Sequence, residues 1–192
     1  NLLTRRANIL DQILSDLQKM RNELSERICF LENTETFPLE IITLINEEED
    51  YLCLSDPVPQ NADLKIRTKI SAKHLLTLSD YITFNNHVSG YILDKNSFLA
   101  CERPYTKYFY QSFTQPFDSP YFFLKPAGLY ATIYFKGIYC SYGKPYIDQL
   151  YRYLQENNLQ AVSDIYMTSI RNHWVTDDNG SYLNKLSIQV KK

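Results

Sequence analysis

Residues 126–170, PAGLYATIYFKGIYCSYGKPYIDQLYRYLQENNLQAVSDIYMTSI, carry the pattern that decides the fold. From Leu129 to Tyr139 aromatic and branched residues alternate with small or polar ones, the period of a strand. Pro145 then suits the first turn of a helix, where its missing N–H leaves no bond unmade. Ile147, Leu150, Tyr151 and Leu154 follow at i, i+3, i+4 and i+7, the single apolar stripe of a helix running to about Asn158. Two further alternating runs, Ala161 to Ile170 and Leu183 to Lys191, complete a β-α-β-β order. Upstream the same order is read again: a strand over Leu64 to Ile70, a helix from Ser71 to about Asn86 with Leu75, Leu78 and Ile82 on its inner face, and strands over His87 to Asp94 and Tyr105 to Phe113. Val88-Ser89 and Val162-Ser163 echo each other 74 residues apart, each following its helix. Two such units, about 64–113 and 129–191, predict a pseudo-twofold α+β domain with its helices gathered on one face of an antiparallel sheet.

The N-terminal part follows another period. Leu3, Leu10, Leu17, Leu24 and Leu31 recur every seven residues, with Leu14 and Ile28 on the second seam and no Gly or Pro from Leu2 to Glu32. Residues 1–33 therefore read as a long coiled-coil helix whose apolar stripe pairs with a second copy, or with other helices of a bundle. Thr34 to Pro38 breaks the pattern, and the domain spans 38–192. Leu39 to Ile45 and Tyr51 to Val58 read as a hairpin with Glu47, Glu48, Glu49 and Asp50 as a solvated acidic tip, since the run lacks the alternating ligands and Gly of a calcium loop. The helical pattern already under way at residue 1, without an initiator Met, is the expectation for a piece of a longer chain.

Charge narrows the function. Twenty basic residues face 22 acidic ones, a formal net charge of −2, with no Lys/Arg concentration of the kind that tracks phosphates, so DNA contact is expected only through a further segment. No apolar run approaches the roughly 20 residues of a membrane helix and no signal-peptide pattern opens the chain, which reads as soluble and cytoplasmic. Cys29, Cys53, Cys101 and Cys140 are far apart and complete no metal set, so no metal or cofactor is called for and the thiols read as reduced and mostly buried. His74, His87 and His173 support no Ser-His-Asp or Cys-His arrangement. Asn179-Gly180-Ser181 reads as turn chemistry.

Sixteen tyrosines are the compositional excess. With the helices on one side, parity sends Leu186, Ile188 and Val190, Ala131, Ile133 and Phe135, and Ile165 and Met167 toward them. Tyr130, Thr132 and Tyr134, Asp164, Tyr166 and Thr168, and Lys185, Ser187 and Gln189 then face away. A Tyr-rich far face supplies apolar area with hydrogen-bonding tips and is a candidate ligand surface.

Leu24-Ser25-Glu26-Arg27-Ile28-Cys29-Phe30-Leu31-Glu32 resembles the end of the linker helix of MerR-family transcription regulators. Pro126-Ala127-Gly128-Leu129-Tyr130-Ala131, then Phe135-Lys136-Gly137, a Tyr-rich helix and Glu156-Asn157-Asn158-Leu159, is similar to a run in their GyrI-like effector domains, and Asn184 to Val190 fills the place of the last strand. The resemblance covers nearly the whole chain. It implies a dimerisation helix using Leu3, Leu10, Leu14, Leu17, Leu24, Ile28 and Leu31. It also implies an effector cleft of the multidrug-sensing type, lined here by Tyr91, Tyr108, Tyr110, Tyr134, Tyr166, Trp174, Lys185 and Ser187, and a DNA-binding winged helix that precedes the linker helix. Where the family commonly has an acid on the closing strand, this chain has Lys185. That departure favours a neutral or anionic aromatic-sized ligand over a cationic one. Some stand-alone GyrI-like domains are hydrolases of small electrophiles; here Asp164 and Glu102 are the substitutes for the missing acid. The binding role is the principal reading, with hydrolase or protein-interaction module as the alternative.

Overall fold

The computed structural model describes residues 1–78, 88–113, 115–173 and 175–192, and of residues 140–142 the backbone alone. Residues 1–37 form one compact unit, and the described residues from Pro38 onward form another. Trp174, Ile82 and His87 lie outside the described residues.

The first unit is α1 (Leu2–Asn33) with one 3₁₀ turn at Thr34–Thr36. Asn1 caps it, its side-chain oxygen accepting the Leu3 N–H at 3.0 Å. The helix runs as far as the Gly- and Pro-free pattern does. Leu3, Leu10, Leu14, Leu17, Leu24 and Ile28 are all exposed, and Leu31 is half-buried.

The second unit contains β1 (Ile42–Glu47), β2 (Asp50–Leu54), α2 (Leu64–Leu78), β3 (Ser89–Leu93), α3 (Lys95–Leu99), β4 (Thr106–Phe113), β5 (Phe122–Lys125), β6 (Gly128–Lys136), α4 (Tyr139–Glu156), β7 (Gln160–Arg171) and β8 (Leu183–Lys191). Its strands make one eight-stranded antiparallel sheet in the order β1-β6-β8-β7-β3-β4-β2-β5. Exchanging β1–β4 for β5–β8 reverses that order onto itself, so the duplication read from the sequence is a pseudo-twofold of the sheet, with β3 and β7 paired at its centre. Each half lends its first strand to the other: β1 pairs with β6, and β5 with β2.

Three expectations are corrected. β1 and β2 are not a hairpin: β1 pairs with β6, while β2 lies between β4 and β5, so the short link at 48–49 carries the chain from one end of the sheet to the other. The link at 126–127 does the same for β5 and β6, and the sheet curls until these ends meet. Leu64 to Ile70 is helical rather than extended, because Asp63 accepts the Ile66 N–H at 2.8 Å and starts α2 there. α4 begins at Tyr139, not Pro145; the extra turn is held by the Tyr139 ring stacked on Tyr91 at 6.2 Å, and Gly143 gives that ring room to fold back along the helix.

Parity holds on both faces. Ile147, Leu150 and Leu154 of α4 bury against Ala131, Ile133, Phe135, Leu186, Ile188 and Val190. On the opposite face Tyr110, Tyr130 and Tyr166 form a second buried cluster with Leu52 and Ile92. Of the thiols whose side chains are described, Cys53 is buried but Cys29 and Cys101 are exposed, against the expectation of mostly buried cysteines. Asn179–Ser181 is a single 3₁₀ turn capped by Asp178, as its turn chemistry suggests. No described helix is long and apolar enough to cross a membrane.

Candidate functional site

The central pairing of Tyr91 with Met167, and of Tyr91 with Phe109, sets these three side chains on the helix-bearing face of the sheet. There α2 on one side and the first turn of α4 on the other leave a cavity of about 380 Å³ over the sheet centre. Ser71, His74 and Leu75 come from α2, Tyr91, Phe109 and Met167 from the sheet, and Tyr139 from α4, with Asn172, His173, Tyr182 and Asn184 toward the ends of β7 and β8. Tyr91 meets Phe109 edge-on at 5.6 Å and Tyr139 in a stack, so the aromatic wall is fixed by ring contacts. A second space of about 380 Å³ continues along α2 past Leu64, Arg67 and Thr68, sharing Ser71, Leu75, Tyr91, Phe109 and Tyr139 with the first. Arg67 is engaged there, donating to Thr106 Oγ1 at 2.9 Å.

Two buried polar side chains in the cavity lining carry nitrogen atoms that have no partner among the described residues. His74 is 7% exposed and Gln111 is 5% exposed. Among the described residues, neither ring nitrogen of His74, nor Nε2 of Gln111, has a hydrogen-bond partner. Burial holds the His74 imidazole down at about 4, against a small upward pull from Asp56, so the ring is neutral at pH 7. Among the described lining residues there is no Asp, Glu, Lys or Arg.

The opposite face is built differently. Lys125 Nζ lies 4.6 Å from the ring centre of Tyr130 and 5.0 Å from that of Tyr166, a cation held by two aromatic faces. It bonds Glu47 at 2.5 Å, and Lys185 Nζ bonds the other carboxylate oxygen at 2.8 Å, with Thr132 donating at 3.1 Å. Burial alone would raise the Glu47 carboxyl, but the two ammonium groups outweigh it and hold it below its ordinary value. Burial lowers the Lys185 ammonium, opposed by Glu47 and reinforced by Lys125. Tyr110 lays its ring over Gly90, where a Cβ would meet Tyr110 Cζ at 2.4 Å, and its hydroxyl hydrogen-bonds Thr168 Oγ1 at 2.6 Å. Burial raises the phenols of Tyr110, Tyr130 and Tyr166 well above the usual value.

The eight residues singled out as ligand-binding are therefore divided. Tyr91 lines the cavity with its ring; Tyr110 borders it at Gly90 but packs its ring, like Tyr108, with the opposite cluster; Tyr134, Tyr166, Lys185 and Ser187 are absent from the lining, and Trp174 lies outside the described residues. Lys185 pairs with Glu47 rather than with Asp164, whose carboxylate is held by Lys107 at 2.8 Å and accepts the Lys95 amide at 2.9 Å. Glu47 itself is a buried ion-pair centre, not part of a solvated tip. Asp164 and Glu102 also lie outside the cavity lining. Sequence reasoning missed His74, Gln111, Phe109 and Tyr139. One signal was present: Arg67, Ser71 and His74 fall at i, i+4 and i+7 on the same stripe as Leu78 at i+11, and it is this stripe, with His74 and Leu78 buried, that turns inward where Leu75, 56% exposed, was expected.

No family model and no curated protein matches the chain. Solved structures do. EcmrR in its complex with DNA matches all of this chain over 71% of its own, at 17% identity and a TM-score of 0.62. The EcmrR C-terminal domain matches 79% of this chain over 98% of its own, at 14% identity and a TM-score of 0.59. An uncharacterized conserved protein from Listeria innocua matches 83% of this chain over 97% of its own, at 10% identity and a TM-score of 0.51. Over the part that matches, then, this chain has the GyrI-like fold of the EcmrR C-terminal domain, the fold that the resemblance to MerR-type effector domains implied.

Proposed function

We propose that this chain is the effector-binding and dimerising part of a MerR-type transcription regulator, that a small molecule binds in the cavity between α2 and the first turn of α4, and that α1 relays its arrival to a DNA-binding segment. The observation that carries this reading is the cavity itself: about 380 Å³ over the sheet centre, walled by Tyr91, Phe109 and Tyr139, with His74 and Gln111 in its lining bearing buried nitrogens that have no partner among the described residues. Such unpaired groups cost stability in the empty protein, so a ligand that pairs them recovers that cost on binding. The structural likeness to EcmrR bound to DNA supports the regulatory context. The exposed heptad of α1 supports pairing with a second copy, since about half of each of Leu10, Leu14, Leu17 and Ile28 stays in contact with water. Binding is favoured over hydrolysis because the candidate acids Asp164 and Glu102 do not line the cavity, and Asp164 is occupied by Lys107 and a backbone amide.

The test of the relay is sedimentation and DNA binding of the regulator that contains this chain, with and without a ligand found by thermal-shift screening. A dimer is expected at micromolar concentration, reduced to monomer by Leu10→Glu with Leu17→Glu, and the ligand is expected to alter DNA binding only in the dimer. A monomeric native protein overturns the dimer reading, and ligand binding with no change in DNA affinity or transcription overturns the relay.

A further inference from the structure

Resting on the cavity reading above, we propose that the ligand is an uncharged, flat aromatic molecule carrying a hydrogen-bonding group at one end, and that His74 and Gln111 are the residues that hold that group. The volume of about 380 Å³ admits a body of two or three fused rings, and Tyr91, Phe109, Tyr139 and Met167 offer it ring faces and a thioether. A neutral imidazole has one N–H donor and one acceptor nitrogen, and the Gln111 amide nitrogen adds a donor. Among the described residues, all three of these nitrogen positions are buried and without a hydrogen-bond partner. The polar demand of the site is thus a donor and an acceptor on one ligand end, as in a primary amide, a lactam or a phenol.

Among the described residues, the charged groups nearest the cavity are committed elsewhere. Asp56, the acid that acts on His74, is 2.6 Å from Lys73 Nζ. Arg67, in the continuation of the groove, donates to Thr106, and Lys185 is bound to Glu47 on the opposite face of the sheet. A cation or a carboxylate entering the cavity would shed water and meet, among the described lining residues, no opposite charge, only aromatic faces and neutral dipoles. Lys185, the residue whose sign favoured an anion in the sequence, is not a counter-ion for this site, and the preference narrows from neutral or anionic to neutral.

Four probes of one shape separate the possibilities: 2-naphthamide, 2-naphthoate, 2-naphthylmethylammonium and 2-methylnaphthalene, each titrated at pH 7 by NMR, following the aromatic signals of Tyr91, Phe109 and Tyr139. The amide is expected to bind at least about tenfold tighter than either ion and about five- to tenfold tighter than the methyl compound, the effect of one or two buried hydrogen bonds. Gln111→Leu and His74→Leu are each expected to remove that advantage while leaving 2-methylnaphthalene binding unchanged; the second variant guards against misfolding of the first. Ions that bind as tightly as the amide, or an amide whose affinity survives both substitutions, overturn the ligand class while leaving the cavity as the site. Failure of all four probes to shift the cavity's aromatic signals overturns the cavity reading and this inference with it.

Discussion

Replacing Glu47 by Gln tests whether the far face of the sheet is a closed, charge-balanced core. The Glu47 side chain is 10% exposed, between Lys125 at 8% and Lys185 at 19%, and its two oxygens each bind one ammonium. Much depends on that one pair of oxygens: the amide introduced by Glu47→Gln keeps one acceptor but leaves both lysines without their carboxylate. Removing one partner of a buried pair costs about 3–5 kcal/mol, most of it the penalty of the charge left behind. Asp50, which receives the Ser112 hydroxyl at 2.7 Å and acts on Lys185 from farther away, softens that penalty without replacing the bond. Urea unfolding at pH 7, followed by circular dichroism, should therefore show Glu47→Gln less stable than the parent by about 3 kcal/mol or more. Lys185→Met should cost less than about 1 kcal/mol, since it removes the ammonium whose burial already works against its charge and leaves the Glu47–Lys125 pair intact. The pH dependence carries the same signature. The Glu47 carboxyl is held below its ordinary 4.5, so the stability it contributes is fully present above that value and is lost as pH falls through the lower folded value; parent and variant should converge in acid. A Glu47→Gln loss under about 1 kcal/mol, or a Lys185→Met loss as large as that of Glu47→Gln, would refute this account of the core.

His74 should reveal itself by pH as well. Burial lowers its value from 6.5 to about 4, so it brings no protonation penalty above 6.5 and a penalty that grows as pH falls to about 4, amounting to about 3 kcal/mol across that window. Asp56, with its partner Lys73, is the charge that opposes this, and urea midpoints of His74→Phe measured from pH 7 to pH 4 should decline less than those of the parent by that amount; parallel curves would show that the ring is already solvated. Gly90→Ala places a methyl 2.2 Å from the Met167 carbonyl oxygen and 2.4 Å from Tyr110 Cζ, and the backbone atom cannot yield cheaply. A loss of about 2–3 kcal/mol is expected in thermal or urea unfolding, with Tyr110→Phe losing about 1 kcal/mol; a Gly90→Ala protein as stable as the parent would mean that β3 and β7 are not held this closely.

The fold was legible because its periods are strong and its faces are unequal. The last strand was placed to the residue, Leu183 to Lys191, since Leu186, Ile188 and Val190 leave no second way to orient it. Alternation alone misled at Leu64 to Ile70, where a single Asp63 cap outweighs a short β-like run, and at Glu47 to Asp50. There four acids in a row look solvated unless the partner lysines, 78 and 138 residues further on at 125 and 185, are known. The site was less legible for the same reason. Strand parity says which residues share a face but not which face is covered; the Tyr-rich face is closed by the sheet's own curl and by Lys125. The helix-bearing face, expected to be solid core, is open where α2 and α4 stand apart.

That closure also explains how the two halves of the duplication came to differ. Glu47 ends β1 three residues before Asp50 opens β2, and Lys125 ends β5 three residues before Gly128 opens β6, so the two stand at equivalent places in the pseudo-twofold order. In a strictly repeated sequence the same residue would face itself across that join, and two buried like charges there would repel. A Glu opposite a Lys turns the contact into an ion pair and makes each half dependent on the other, as the exchange of β1 and β5 between halves already does for the backbone. A single half, 38–113 or 115–192, keeps one edge strand without its neighbour, the first leaves Glu47 without its lysines and the second leaves Lys125 and Lys185 without their carboxylate, and neither is expected to fold alone. Co-expression of the two halves should restore the native circular dichroism that each lacks separately, whereas either half giving a cooperative unfolding transition by itself would show that the join is ornamental and that the Tyr-rich face draws its stability from within one repeat.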